Sequence, residues 1–175
     1  MSYRPYTSFP QNLSIPFRIP PKLSIKETPT NQTEIQVMFF DTDCAAVVHN
    51  IAYLRFIEVA RTLLAEQIGM GLRAMADTQQ YPVVVRTEID YRKPARLGDL
   101  LIVHGRIESV ERMRFWCAFE IRRRGDDALI VNSRQMLALI QMPAGRPMRL
   151  PAEWAERFAH LTKPRPAPTS SPPAL

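Results

Sequence analysis

The strongest limit on the fold is a run from Ile51 to Met70. Within it Tyr53, Ile57, Ala60, Leu64 and Ile68 recur at helical spacing. Leu54, Phe56 and Leu63 widen that stripe, so the expected helix is buried on more than one side. Asn50 is a suitable N-cap, because its side chain can accept a bond from a free amide of the first turn. Gly69 and Gly71 supply the stop. On both sides of this helix the chain reads as strand. Thr33 to Phe40 is rich in β-formers, with Ile35, Val37 and Phe39 on one face. Four β segments follow the helix: Pro82 to Tyr91, Asp99 to Val110, Met113 to Arg123 and Ala128 to Gln141. Lys93-Pro94, Leu97-Gly98 and Gly125-Asp126-Asp127 break them apart. Spacing this short predicts antiparallel pairing by hairpins. Pro151-Ala152-Glu153 opens a short last helix to about Leu161. One long buried helix among antiparallel strands makes an α+β fold in which a curved sheet wraps a central helix.

Composition narrows the class. The 175 residues are one domain's worth, and 46% hydrophobic content excludes a disordered chain. Cys44 and Cys117 are the only cysteines, so this is no disulfide scaffold, and a reducing, cytoplasmic compartment is expected. No stretch approaches 18 consecutive apolar residues, so no membrane insertion is expected. The net charge of +6 suggests an anionic partner until it is divided: residues 1–30 carry +3, residues 163–175 carry +2, and residues 31–162 carry only +1. A nucleic-acid-binding core should carry its own basic face, so no nucleic-acid partner is expected. Proline follows the same division, with six of 16 in residues 1–30 and five in 163–175. Both ends are read as extended arms around a domain at 31–162. The first arm carries Tyr3, Tyr6, Phe9, Ile15, Phe17 and Ile19, so packing across the domain and a disordered tail stay equally open.

Chemistry concentrates between Phe40 and Tyr53, in the stretch Phe40-Asp41-Thr42-Asp43-Cys44-Ala45-Ala46-Val47-Val48-His49-Asn50-Ile51-Ala52-Tyr53. Two carboxylates end a strand, a short apolar turn follows, and a helix starts. First-turn amides have no intrahelical partner, and the helix dipole adds partial positive charge there. Such amides can stabilise a developing oxyanion, and a carboxylate on the preceding loop can reach the same volume. On spacing alone, a cap or turn former explains these aspartates as well. No metal-ligand spacing, phosphate-cradling glycine loop or Gly-x-Ser-x-Gly elbow exists, so no cofactor is expected.

The stretch Val37 to Arg61 resembles the signature of hot-dog fold acyl-CoA thioesterases, in the subgroup of 4-hydroxybenzoyl-CoA thioesterase and the Tol-Pal-associated thioesterases. The residues that carry it are Asp41-Thr42-Asp43, Val47-Val48, His49-Asn50, Tyr53, Glu58 and Ala60-Arg61. A second block, Arg86 to Asp99, resembles the family's second strand and the turn after it, and Leu150-Pro151-Ala152-Glu153 fits the start of its last helix. The resemblance implies an α+β hot-dog fold and hydrolysis of an acyl-CoA to free acid and CoA. It implies Asp43 as the catalytic carboxylate, either nucleophile or general base, and the Asn50 backbone amide as the group that polarises the carbonyl. The implied pocket involves Val47, His49, Tyr53, Phe56 and Val84, with Arg112 and Arg114 near the CoA nucleotide. It further implies a homodimer or homotetramer with each pocket at a subunit interface.

Other readings stand beside these. Asp41 is expected to be structural, His49 a cap neighbour or pocket wall, and Cys44 a buried small residue. Glu58 and Arg61 lie i, i+3, and an intrahelical ion pair explains them. The Arg122-Arg123-Arg124 run reads as a solvated turn. The family usually has Gly where this chain has Ala46, so a positive φ there would carry a steric cost. A hot-dog hydratase or dehydratase, or a non-catalytic acyl-CoA binder, are the alternatives on the same fold.

Overall fold

A computed structural model of the chain describes residues 27–162. Expectations for the two terminal arms fall mostly outside these residues. The described elements are β1 (Thr30–Gln36), α1 (Asn50–Gln67), α2 (Leu72–Thr78), β2 (Gln80–Tyr91), β3 (Leu100–Val110), β4 (Arg114–Arg123), β5 (Leu129–Gln141), β6 (Arg146–Met148) and α3 (Glu153–Arg157), with 3-10 turns at Phe39–Asp41 and Ala159–Leu161. The strands form one antiparallel sheet in the order β1-β3-β4-β5-β2, and β6 pairs with β5. The sheet is open, with β1 and β2 at opposite edges.

Alternation builds the core. Leu101, Val103 and Ile107 of β3, and Phe115, Cys117, Phe119 and Ile121 of β4, face inward and are buried. The helical stripe Tyr53, Ile57, Ala60, Leu64 and Ile68 meets them, and all five are buried, as its spacing predicts. At one end Trp154 and Phe158 plug the gap, with the Phe115 ring edge-on to Trp154 at 5.3 Å. Asn31 of β1 donates to the Ala60 carbonyl at 2.7 Å and ties the edge strand to the helix. Glycine is required opposite it, since a Cβ on Gly105 would run into the Asn31 side-chain oxygen.

Four expectations are corrected. The first strand stops at Gln36 rather than Phe40. The Asp41 carboxylate accepts the Met38 amide at 2.9 Å and so winds Phe39–Asp41 into a 3-10 turn, which leaves Phe39 80% exposed instead of inward. Leu54 and Leu63 are exposed, so α1 buries one side only. Pro82–Tyr91 and Asp99–Val110 do not form a hairpin: β2 pairs with β5, and the chain crosses the end of the sheet to reach β3. The N-cap of α1 is His49, and Asn50 is the first helical residue. Helix α2 and strand β6 have no counterpart in the sequence reading.

The crossing segment positions the loop before α1. Gly98 turns it at φ +84, a conformation that glycine adopts without steric cost. Val37 is bonded to both sides of that turn, accepting from Gly98 at 3.0 Å and donating to Asp99 at 2.9 Å. The Ala95 carbonyl accepts from Val48 at 2.8 Å, and Val47 forms a β-bridge with Arg96.

Candidate active site

The motif loop is a small closed hairpin. Thr42 and Val48 form a β-bridge, Asp43 donates to the Val47 carbonyl at 2.9 Å, and Ala46 donates back to the Asp43 carbonyl at 3.0 Å. Closing so tightly takes a left-handed residue, and Ala46 supplies it at φ +56. The condition attached to Ala46 is therefore met, and the alanine bears the steric cost.

Its two aspartates have different surroundings. Asp41 is buried; besides the Met38 amide, its carboxylate accepts from Arg55 at 2.6 Å. The reading of Asp41 as structural agrees with this. Asp43 is exposed, and its Oδ1 accepts from the Ala45 amide at 2.8 Å, which fixes the carboxylate as an Asx turn. The second oxygen, Oδ2, has no partner among the described residues. Cys44 beside it is exposed, which corrects the expectation of a buried small residue.

At the helix tip His49 Nδ1 accepts from the Ala52 amide at 3.2 Å. That bond occupies the Nδ1 lone pair, so the neutral ring carries its proton on Nε2. The Asn50 amide donates to no described residue, which leaves it free at the positive end of an 18-residue helix. Tyr53, one turn on, is buried, and its hydroxyl accepts from the Ala95 amide at 3.1 Å. Burial raises its pKa, so the phenol keeps its proton. A cleft of about 340 Å³ opens beside the tip, lined by Val48, Asn50, Tyr53, Tyr91, Arg92, Lys93 and Pro94.

Asp43, Val47, His49, Asn50 and Tyr53 thus belong to one loop and one helix turn. The remaining sequence-predicted residues lie elsewhere. Phe56 is buried in the core, edge-on to Tyr53 at 6.1 Å, and lines none of the described clefts. Val84 is exposed on edge strand β2, next to a register shift between Val84 and Arg86. Arg112 and Arg114 sit beyond the far end of β3, whose 11 residues span roughly 35 Å. Arg114 pairs with Glu111 at 3.2 Å, whereas Arg112 has no acidic partner among the described residues. Arg112 lines a cleft of about 460 Å³ with Val110, Arg149, Leu150, Pro151 and Trp154. Lys93 lines the cleft beside the helix tip and Arg149 lines the cleft that holds Arg112, and the sequence reading singled out neither.

The Glu58–Arg61 ion pair is present at 3.4 Å. Arg61 also donates to the buried Gln135 side chain at 2.6 Å. Beside this pair a cavity of about 180 Å³ lies between α1 and the sheet, walled by Leu64, Ile68, Met75, Phe115, Cys117 and Leu137. Among the described residues there is no group of three or more His, Cys, Asp or Glu that could hold a metal. No described helix is long and apolar enough to cross a membrane.

An open antiparallel sheet around one long helix, with a carboxylate-bearing loop at the helix tip, defines a hot-dog fold protein. Residues 37–158 match the thioesterase-like superfamily, and the chain belongs to it. Among its relatives is an acyl-CoA thioesterase, YbgC, of Haemophilus influenzae, 30% identical over 128 residues that cover 73% of this chain and 93% of that one. The 1,4-dihydroxy-2-naphthoyl-CoA hydrolase of Synechocystis is 26% identical over 132 residues, covering 75% and 96%. The crystal structure of a probable thioesterase from Bartonella henselae superposes with a TM-score of 0.64 at 28% identity, covering 70% of this chain and 99% of that one.

Proposed function

We propose that the protein hydrolyses acyl-CoA thioesters to the free acid and CoA, with Asp43 as the catalytic carboxylate. The observation that carries this reading is the joint state of Asp43 and Asn50. One carboxylate oxygen is held by the Ala45 amide, and the other is without a described partner. The uncommitted Asn50 amide stands on the same short loop, at the head of α1. A thioester whose carbonyl oxygen accepts from that amide gains stabilisation as negative charge develops on it. Asp43 then either attacks the carbonyl carbon, expelling CoA thiolate and leaving a mixed anhydride for water to open, or takes a proton from the attacking water. His49 is the positioning cap of this helix turn.

The substrate is too long for one chain's site. Arg112 and its cleft lie at the opposite end of the sheet from the Asp43 loop, about the length of β3 away. A homodimer formed by antiparallel pairing of β2 with its counterpart brings one chain's loop alongside the other chain's far end. The unpaired edge of β2, with Val84 and Val85 exposed on it, supports that pairing. One copy then supplies Asp43, Asn50 and Tyr53. The other supplies pocket wall, with Arg112 for the nucleotide phosphates. The two free cysteines fit a reducing cytoplasm.

Release of free CoA thiol from a panel of aromatic and aliphatic acyl-CoAs tests the reaction class. Catalytic release from at least one thioester is expected. Saturable binding of acyl-CoA with no thiol released would instead identify a binding protein.

A further inference from the structure

Tyr53 uses half of what a phenol can do. Its oxygen accepts from the Ala95 amide at 3.1 Å, yet among the described residues its O–H donates to none. Tyr53 is only 3% exposed, and native folds rarely leave a buried donor unmatched. The same residue lines the cleft beside Asn50, where an acceptor can enter. Its surroundings hold the hydroxyl still. Side chains on a helix lean toward its N-terminus, so Tyr53 leans back over the first turn of α1, toward the end that carries the uncommitted Asn50 amide. Phe56 packs edge-on against the ring at 6.1 Å, and Tyr91 tilts against it at 5.7 Å. Ala95 ties two parts of the site together. Its amide donates to the hydroxyl, and its carbonyl accepts from Val48 at 2.8 Å, two residues before Asn50.

We propose that Tyr53 is a catalytic residue, whose hydroxyl donates to the thioester carbonyl oxygen alongside the Asn50 amide. This rests on the reading of the cleft as a thioesterase site and adds to it, since the resemblance places Tyr53 only in the pocket wall. When a nucleophile adds to the carbonyl carbon, the π electron pair moves onto oxygen. Two donors then share that negative charge. The phenol proton stays on Tyr53, so nothing has to be returned later. As the C–S bond breaks, the pair on oxygen re-forms the carbonyl, and CoA leaves as the thiolate. Burial holds the phenol's pKa above its ordinary value, so the hydroxyl is a donor throughout the neutral range. The Ala95 amide, bonded to the same oxygen, polarises the O–H further. A donor already oriented needs no rearrangement while charge develops. Lys93, another cleft donor with no partner among the described residues, is exposed and lacks that orientation.

Steady-state release of CoA thiol by full-length wild type and Tyr53→Phe tests this, on an acyl-CoA that the wild type hydrolyses. Folded Tyr53→Phe is expected to lose about 10²-fold in kcat with KM nearly unchanged. Calorimetry with a thioether analogue of the same acyl-CoA, which has no carbonyl oxygen, is expected to give wild-type affinity. A kcat equal to wild type would remove the hydroxyl from the chemistry. A thioether affinity that fell as far as kcat would make Tyr53 a packing residue and overturn the proposal as well. If Tyr53→Phe fails to fold, 3-fluorotyrosine at position 53 keeps the ring and its bond to Ala95 but is the stronger acid. Its kcat is expected to fall away at lower pH than in the wild type, and coincident profiles would overturn the proposal. Asp99, Tyr91 and Arg123 face the hydroxyl and are the same in both chains. A wild type that binds acyl-CoAs and releases no thiol would end the thioesterase reading itself, and this proposal with it.

Discussion

Asp41 and Asp43 stand two residues apart in different surroundings. Asp41 is buried, saturated by the Met38 amide and Arg55, and shapes the turn. Asp43 is exposed and keeps one oxygen unengaged by any described residue. The resemblance already sets the two aspartates apart and leads to the expectation of a structural Asp41, but it cannot say what Asp41 binds, because Arg55 is 14 residues away. Ala46 is a case where the residue type itself was informative. A family glycine replaced by alanine signals a left-handed turn, and φ is +56 there. An L-residue in that region costs about 1–2 kcal/mol, partly offset by the extra chain entropy that glycine loses on folding. Ala46→Gly is therefore expected to raise stability by about 0.5–1 kcal/mol, read as an increase in urea midpoint at unchanged slope. An unchanged or lower midpoint would mean that the loop does not store this strain.

Among elements, α1 was the most legible and its start the least. Five apolar positions at helical spacing find the buried stripe. The cap, however, is chosen by which side chain can turn back on the first amides. Asn50 and His49 are adjacent, and both types can accept. The structure gives the role to His49, through Nδ1 to the Ala52 amide. His49→Ala is expected to cost about 1 kcal/mol, and His49→Asn to recover most of it, as thermal denaturation of the pair would report. Equal stability of all three chains would remove His49 from the cap. Strand β1 ended early for a similar reason. Phe39 and Phe40 are good strand formers, yet the Asp41 carboxylate takes the Met38 amide and bends the chain. Helix α2 was missed because Gly69 and Gly71 read as a stop; Gly71 is also the N-cap of the next helix.

For the whole molecule, alternation named the strands but not their neighbours. Sequence order suggested a hairpin between β2 and β3, whereas the helix needs a sheet wide enough to wrap it, and β2 closes the far edge against β5. That crossing brings Ala95 under Tyr53 and creates the cleft beside Asn50, which no local pattern contains. It also puts Arg112 a strand length from Asp43, a separation that neighbouring motifs in the sequence do not reveal. The tightness of the core has its own signature. Burial pushes the Cys117 thiol up to about 12 from its ordinary 9.0. The folded chain therefore holds this proton at pH values where the unfolded chain has lost it. Stability from this group is whole below pH 9 and is lost as the pH rises toward 12. Cys117→Ala is expected to lose Tm less steeply than wild type between pH 9 and 11; parallel slopes would mean that the thiol ionises freely in the fold. The account as a whole turns on Asp43, and the turnover number of Asp43→Asn at saturating acyl-CoA tests it most directly. The expected result is a fall of about 10²–10⁴-fold at wild-type Tm and wild-type assembly mass. An amide at this position that turned over at the wild-type rate would contradict it.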